Sequence, residues 1–225
     1  MPARLWLPRP SWRPYTASMQ PNERLLDSPH NDLRPPVGAR REQIVLEAAA
    51  LFAVRGYHGT SMQDIAERVG MLKGSLYAHV ANKEEILLEI VSTTERVFTA
   101  AVAPIARGDG DHQSRLRQAL RAHIEVISRH RASATVFLFE WRHLDGQPLR
   151  WFGEVRGRYE ALWQGMLAEG LAAGAFPSSL EPRMTTRLLL AAAGGACHWL
   201  EDPACPRGDV IADSLADLFL GRQRD

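Results

Sequence analysis

A chain of 225 residues, 45% apolar and 24% charged, has the ordinary composition of a soluble globular protein and is long enough for one large core or two small ones. No apolar run approaches the ~18 residues of a membrane-spanning helix. The two cysteines, Cys197 and Cys205, are too few for a disulfide framework or a zinc-ligand set, which fits a reducing cytoplasm. A net charge of +1 does not announce a nucleic-acid partner, so such a partner has to be read from local pattern.

The first 41 residues stand apart. They hold eight prolines and seven arginines against Glu23, Asp27 and Asp32, a net of +4, with Trp6 and Trp12 set among the prolines. No apolar stretch of signal-peptide length is present. Two readings are open for residues 1–38: a disordered basic arm that adds a salt-sensitive attraction to phosphates, or a mis-assigned start with translation beginning at Met19.

From Ala39 onward the spacing is helical and no period-two strand appears, so the fold class is all-α. Ile44, Ala48, Leu51 and Phe52 mark the apolar face of a first helix, which Gly56 ends. Tyr57-His58-Gly59 reads as a turn. Ser61, with Asp64 three residues on, reads as a capping arrangement for a second short helix, whose stripe is Met62, Ile65, Ala66 and Val69. Gly70 stops it. A third helix is expected over about Lys73–His79, with Leu72, Leu76 and Val80 inside. Asn82 caps a fourth, with Ile86, Ile90, Val91, Thr94 and Val97 on its inner face; Pro104 and Gly108-Asp109-Gly110-Asp111 break the pattern and mark a domain junction. Further helices are expected over Arg115–Arg129, Thr135–His143, Arg150–Ala173 and Pro182 to about Leu200, with a last one capped by Asp209 and striped by Ile211, Leu215, Leu218 and Phe219. The domain boundaries that follow are 39–85, a connecting helix 86–107, and 108–221.

Residues 60–85 carry the chemistry. Two short helices meet at a glycine turn, and the second has a thin apolar stripe that leaves a polar face free. A B-DNA major groove ~12 Å wide admits one helix. Gly74 permits close approach to a duplex. Ser75 and Tyr77 offer hydroxyls, Lys73 and Lys83 offer ammonium groups for phosphates, and Leu72 suits a thymine methyl group.

The run Leu72-Lys73-Gly74-Ser75-Leu76-Tyr77, followed by Lys83-Glu84-Glu85, resembles the DNA-binding domain of the TetR/AcrR repressor family over about residues 40–90. The resemblance implies a homodimer on a palindromic double-stranded operator, with DNA roles for Thr60, Ser61, Leu72, Lys73, Gly74, Ser75, Tyr77, His79 and Lys83. Two departures stand out: Val80, where the family usually has an aromatic residue, and Leu72, where Ser or Thr is commoner.

The second half is rich in rings. Phe137, Trp141, Trp163, Met166 and Trp199, with Arg142 as a polar anchor, suit either a packed core or a ligand pocket with apolar walls. Arg187 is a second anchor candidate. The layout from Phe139-Glu140 through Trp199 is similar to a subgroup of that family governing steroid and fatty-acid breakdown, which implies a hydrophobic effector such as an acyl-CoA; the rival is a drug-sensing efflux repressor. The run 191–196, Ala-Ala-Ala-Gly-Gly-Ala, and the last apolar stripe suit a dimer interface made by the last two helices. Ligand binding is expected to move the fourth helix and respace the recognition helices. An enzyme is disfavoured, because the sequence holds no nucleophile elbow, metal-binding pair, P-loop or dinucleotide fingerprint, and no cofactor or metal is expected.

Overall fold

The structure is a computed structural model that describes residues 37–200 and 207–221. The proline-rich segment, Met19 and Cys205 lie outside the described residues. Ten helices form along the described chain: α1 (Val37–Arg55), α2 (Met62–Arg68), α3 (Lys73–Leu76), α4 (Lys83–Ala106), α5 (His112–Arg129), α6 (Arg131–Phe139), α7 (Gly146–Ala172), α8 (Pro182–Gly194), α9 (Ala196–Trp199) and α10 (Gly208–Leu220), with a 3-10 turn over Glu140–His143 after α6. No strand forms among the described residues, and none of their helices is long and apolar enough to cross a membrane.

The expected apolar faces form the core. Ile44, Ala48, Leu51 and Phe52 of α1 meet Ile65, Ala66 and Val69 of the α2 segment, together with Leu76, Val80 and Ile86. α4 is the spine: its N-terminal half touches α1 and its length packs on α5, α6 and α7. Phe98 and Val102 of α4, Leu116, Leu120 and Ile124 of α5, and Phe152 and Trp163 of α7 are fully buried. Each such side chain contributes roughly 1.5–3 kcal/mol of hydrophobic stabilisation. α10 lies along α5, α8 packs on α7, and α1 packs on α6.

Several boundaries differ from expectation, each for a local reason. The third helix stops at Leu76 and the chain goes on as a turn to His79, because the backbone closes with bonds such as His79 N to Leu76 O at 2.9 Å. Leu72 is not inside: as the residue before α3 it is 80% exposed. Pro104 does not break α4, which continues to Ala106; in the last turn a proline removes only one ladder bond. α5 begins at His112, capped by Asp111, whose carboxylate accepts the Ser114 N–H at 2.7 Å. The helix expected over Thr135–His143 starts at Arg131 and tightens into the 3-10 turn at Glu140. α7 starts at Gly146 rather than Arg150. The helix expected from Pro182 to Leu200 is interrupted at Gly195, where a Cβ would lie 2.9 Å from the Trp199 ring. Asp209 sits in the first turn of α10 rather than capping it, and Leu218 turns outward, 73% exposed, while Ile211, Ala212, Ala216 and Leu220 face in.

Candidate nucleic-acid interface and effector domain

The candidate DNA-facing unit is built from its caps upward. The Ser61 hydroxyl accepts the Asp64 N–H at 3.1 Å and the Asp64 carboxylate accepts the Ser61 N–H at 2.7 Å, a reciprocal box that fixes the first turn of α2. The Ser61 hydroxyl also donates to the Asp64 carboxylate, and that bond, with the one from the Ser61 N–H, holds the Asp64 carboxyl below the usual carboxylate range. At the other end Gly70 adopts a φ of 66°, a left-handed conformation that a glycine reaches without strain, and Met71 N closes back on Ala66 O at 2.8 Å. α3 leaves this turn with Leu76 buried as its anchor, while Lys73, Gly74 and Ser75 stand exposed beside Leu72, and Tyr77 is 48% exposed. Five outward positions, 72 to 75 and 77, thus surround a four-residue helix anchored by Leu76.

A polar frame holds this surface in place from behind. Arg41 of α1 donates to Glu89 at 2.8 Å, to Glu85 at 2.7 Å and to the His79 carbonyl. Burial works against the Arg41 charge, but the hydrogen bonds to Glu89 and Glu85 outweigh it and leave its pKa raised. Asn82 caps α4 by accepting the Glu85 N–H at 2.8 Å, and the Glu85 carboxylate accepts the Ala81 N–H at 2.6 Å. His79 is half-buried at the edge of the frame.

Two residues expected on the DNA side belong to this frame. Thr60 is buried, and its hydroxyl donates to Gly56 O at 3.0 Å. The Lys83 ammonium donates to the Tyr57 and Thr60 carbonyls at 2.7 and 2.8 Å and lies 4.2 Å over the Tyr57 ring, with burial lowering its pKa. An ammonium group here suits a phosphate, as the resemblance implies; the fold directs it instead to two backbone carbonyls of the turn between α1 and α2. Arg41 and Tyr57 were missed in the sequence because their partners lie far along the chain, at positions 79 to 89 and at 83 and 140.

In the second half the ring-rich helices pack into one network rather than lining one cleft. Trp141 stacks on Phe152 with centroids 5.1 Å apart, Phe152 meets Phe137 at 5.7 Å, Phe137 meets Phe98 at 5.4 Å, and Phe98 meets His123 at 4.7 Å. His123 Nδ1 and the Tyr159 hydroxyl are 2.7 Å apart, and the Trp163 ring lies edge-on to His123 at 5.8 Å. Burial pushes the His123 pKa down to about 3, so the ring is neutral, and the same burial raises that of Tyr159. Of the candidate ligand residues, Phe137, Trp163 and Met166 are in the core. Trp141 is at its edge with Nε1 donating to Leu138 O at 3.2 Å. Arg142 and Trp199 are not brought to them: Arg142 is exposed and donates to Phe139 O at 2.6 Å, and Trp199 is 47% exposed. Arg187 is exposed on α8. An open cleft of ≈ 320 Å³ lies elsewhere, at the α4–α5 junction, lined by Pro104, Ile105, Asp111, Ser114 and Arg115 among others.

Comparison with known proteins decides the family. Residues 44–90 match the family of bacterial regulatory proteins named tetR, and residues 109–222 match the tetracyclin repressor-like C-terminal domain. The chain belongs to the tetR family. Its relatives include the HTH-type transcriptional repressor KstR2 of Rhodococcus jostii, 29% identical over 182 residues that span 80% of this chain and 87% of that protein. The solved ketosteroid transcriptional regulator KstR2 of Mycobacterium tuberculosis is 27% identical, with a TM-score of 0.73 over 81% of this chain and 93% of its own. AibR, solved with isovaleryl coenzyme A and operator DNA, shares the fold at a TM-score of 0.74 and 24% identity, over 82% of this chain and the whole of its own. This tetR-family protein is therefore a helix-turn-helix transcriptional regulator, with Leu72–Ser75 and Tyr77 exposed at its third helix.

Proposed function

We propose that this regulator is a homodimeric repressor that holds a palindromic operator through paired α3 surfaces and is released by a hydrophobic effector, an acyl-CoA or a related lipid-derived acid. The carrying observation is the exposed surface Leu72-Lys73-Gly74-Ser75 and Tyr77, braced by Arg41, Glu85 and Glu89 so that its backbone is fixed before any duplex arrives. In this reading Lys73, Ser75 and Tyr77 contact phosphates, Gly74 admits the backbone, Leu72 meets a thymine methyl group and Ser61 lies at the start of α2. A two-fold dimer sets two such surfaces one DNA turn apart, ~34 Å. Thr60 and Lys83 support the surface without forming part of it.

The effector reading draws on the ring-rich packing of α4, α5, α6 and α7, which holds His123 and Tyr159 as a neutral polar pair and has to open to admit an apolar ligand. It also draws on the relatives, which are named as repressors and as a ketosteroid regulator. A ligand acts here only if it binds the DNA-free state better, with a coupling of ~1–3 kcal/mol typical of such systems.

Selection of duplexes from a randomised pool by the purified protein, followed by titration of the winner with C4–C20 acyl-CoAs, free fatty acids and steroid acids, tests both halves. Enrichment of an inverted repeat bound by two chains supports the operator reading. A selected duplex whose affinity is unmoved by every compound in the panel rejects this effector class and leaves the drug-sensing alternative.

A further inference from the structure

We propose that Glu140 is a positioning residue for the helix-turn-helix: its carboxylate grips the backbone of Tyr57 and makes the 3-10 turn after α6 a second joint between the two halves, alongside α4. The proposal rests on the DNA-facing surface described above and adds to it how that surface is aimed.

Glu140 and Tyr57 are 83 residues apart, yet the Glu140 carboxylate accepts the Tyr57 N–H at 2.7 Å. The other side of the same residue is also held, since the Tyr57 carbonyl accepts the Lys83 ammonium at 2.7 Å. One peptide segment is thus clasped between a carboxylate from the effector half and a cation from the start of α4. Charge-assisted hydrogen bonds of this kind are about twice as strong as neutral ones. The neighbouring rings fit the same joint. His143 stacks on Tyr57 with centroids 5.7 Å apart, and His58 meets His143 edge-on at 4.3 Å.

The location is not one that stability alone would choose. Tyr57 follows the last residues of α1, where the helix dipole presents its negative end and a carboxylate is disfavoured. The group beside the carboxylate on its own turn is His143, whose Nε2 lies 3.5 Å from it. The clasped turn then runs directly into Ser61, the cap of α2, so its position sets the direction from which α2 and α3 start.

The joint also has a continuous physical connection to the core of the second half. Trp141, the next residue after Glu140, stacks on Phe152, and the ring contacts lead through Phe137 and Phe98 to the buried His123–Tyr159 pair. A short 3-10 segment ending an α-helix is a place where backbone can change its winding at small cost. A rearrangement of those rings therefore moves Glu140 and, through it, the turn that aims the DNA-facing surface.

The test compares Glu140→Ala and Glu140→Gln with the unaltered full-length protein on the duplex that protein selects from a randomised pool. Measurements are made at 15 °C, far below melting, so that loss of folded protein does not contribute. Glu140→Ala is expected to weaken duplex binding three- to tenfold and to raise hydrogen exchange at the Tyr57 amide at least tenfold. Glu140→Gln, which keeps an acceptor oxygen, stays within about twofold of the unaltered protein in duplex binding. Trp141→Leu is expected to raise Tyr57 exchange in the parent and to add nothing in the Glu140→Ala background, as for two changes acting through one contact. Unchanged duplex affinity and unchanged Tyr57 exchange in Glu140→Ala overturn the proposal, as do equal losses in the Ala and Gln variants or additive effects with Trp141→Leu. Should the unaltered protein select no duplex, the DNA-facing assignment itself falls, while the exchange measurements still decide whether Glu140 holds the turn.

Discussion

Ser61 and His123 show how single side chains serve this regulator in opposite ways. Ser61 satisfies an open helix end, so Ser61→Ala is expected to cost about 0.5–2 kcal/mol in urea unfolding, with operator binding weakened because α2 frays at its first turn. His123 carries a pH signature instead. Its folded pKa lies near 3, against about 6.5 in the unfolded chain. Below pH 6.5 the unfolded chain takes up a proton that the folded one refuses, so stability is intact above that value and falls as the pH drops toward 3. At pH 5 the loss from this one group is about 2 kcal/mol. The stability difference between pH 7 and pH 5 is therefore expected to shrink by about that amount in His123→Gln, measured by urea unfolding at both values; an unchanged difference would show that the ring is solvated and titrates normally.

At the scale of elements, close approach decides where helices end and meet. Gly170 of α7 faces the Phe176 ring of the exit turn, where an added Cβ would lie 2.2 Å from a ring carbon. Gly170→Ala is expected to lower stability by about 1–3 kcal/mol, overriding the gain of ~1 kcal/mol that alanine usually brings to a helix interior; a thermal melt reads the sign directly. Such contacts also explain what the sequence conveys. The cap at Ser61, the stop at Gly70, the cap at Asn82 and the apolar faces of α1, α4 and α5 are legible because each depends on residues within a turn or two of one another. The pause at Gly195, whose backbone stays in the right-handed helical region, and the shortening of α3, set by how tightly the turn after it closes, leave no periodic trace. The candidate DNA surface divides in the same way. Lys73, Gly74, Ser75 and Tyr77 are visible as the polar side of a short stripe, but Leu72 looks like an inner residue by its four-residue spacing and is turned out by the extended backbone before α3. Lys83 and Thr60 look like surface residues until carbonyls 23 to 26 positions away claim the ammonium and the buried turn encloses the hydroxyl. The ring-rich half announces apolar packing without saying which rings meet, since their partners come from four different helices.

For the whole molecule, the question is how two copies meet. α8 and α10 pack side by side and leave Met184, Leu188 and Leu218 exposed. With Leu188→Glu and Leu218→Glu together, the proposed dimer is expected to dissociate in size-exclusion chromatography with light scattering. Operator affinity should then fall by more than tenfold, because a single α3 surface reads only one half-site. A doubly substituted protein that stays dimeric would move the interface elsewhere. The outward side chains of α3 raise a separate consequence. Leu72, Lys73 and Ser75 project away from the packed interior, while Leu76 alone anchors the helix and Arg41 braces the backbone behind it. Exposed substitutions of this sort usually change stability by no more than ~0.5 kcal/mol. On the proposed function, the address read by these side chains is separable from the architecture that carries it, and a duplicated gene can acquire a new operator through a handful of codon changes without first acquiring a more robust scaffold.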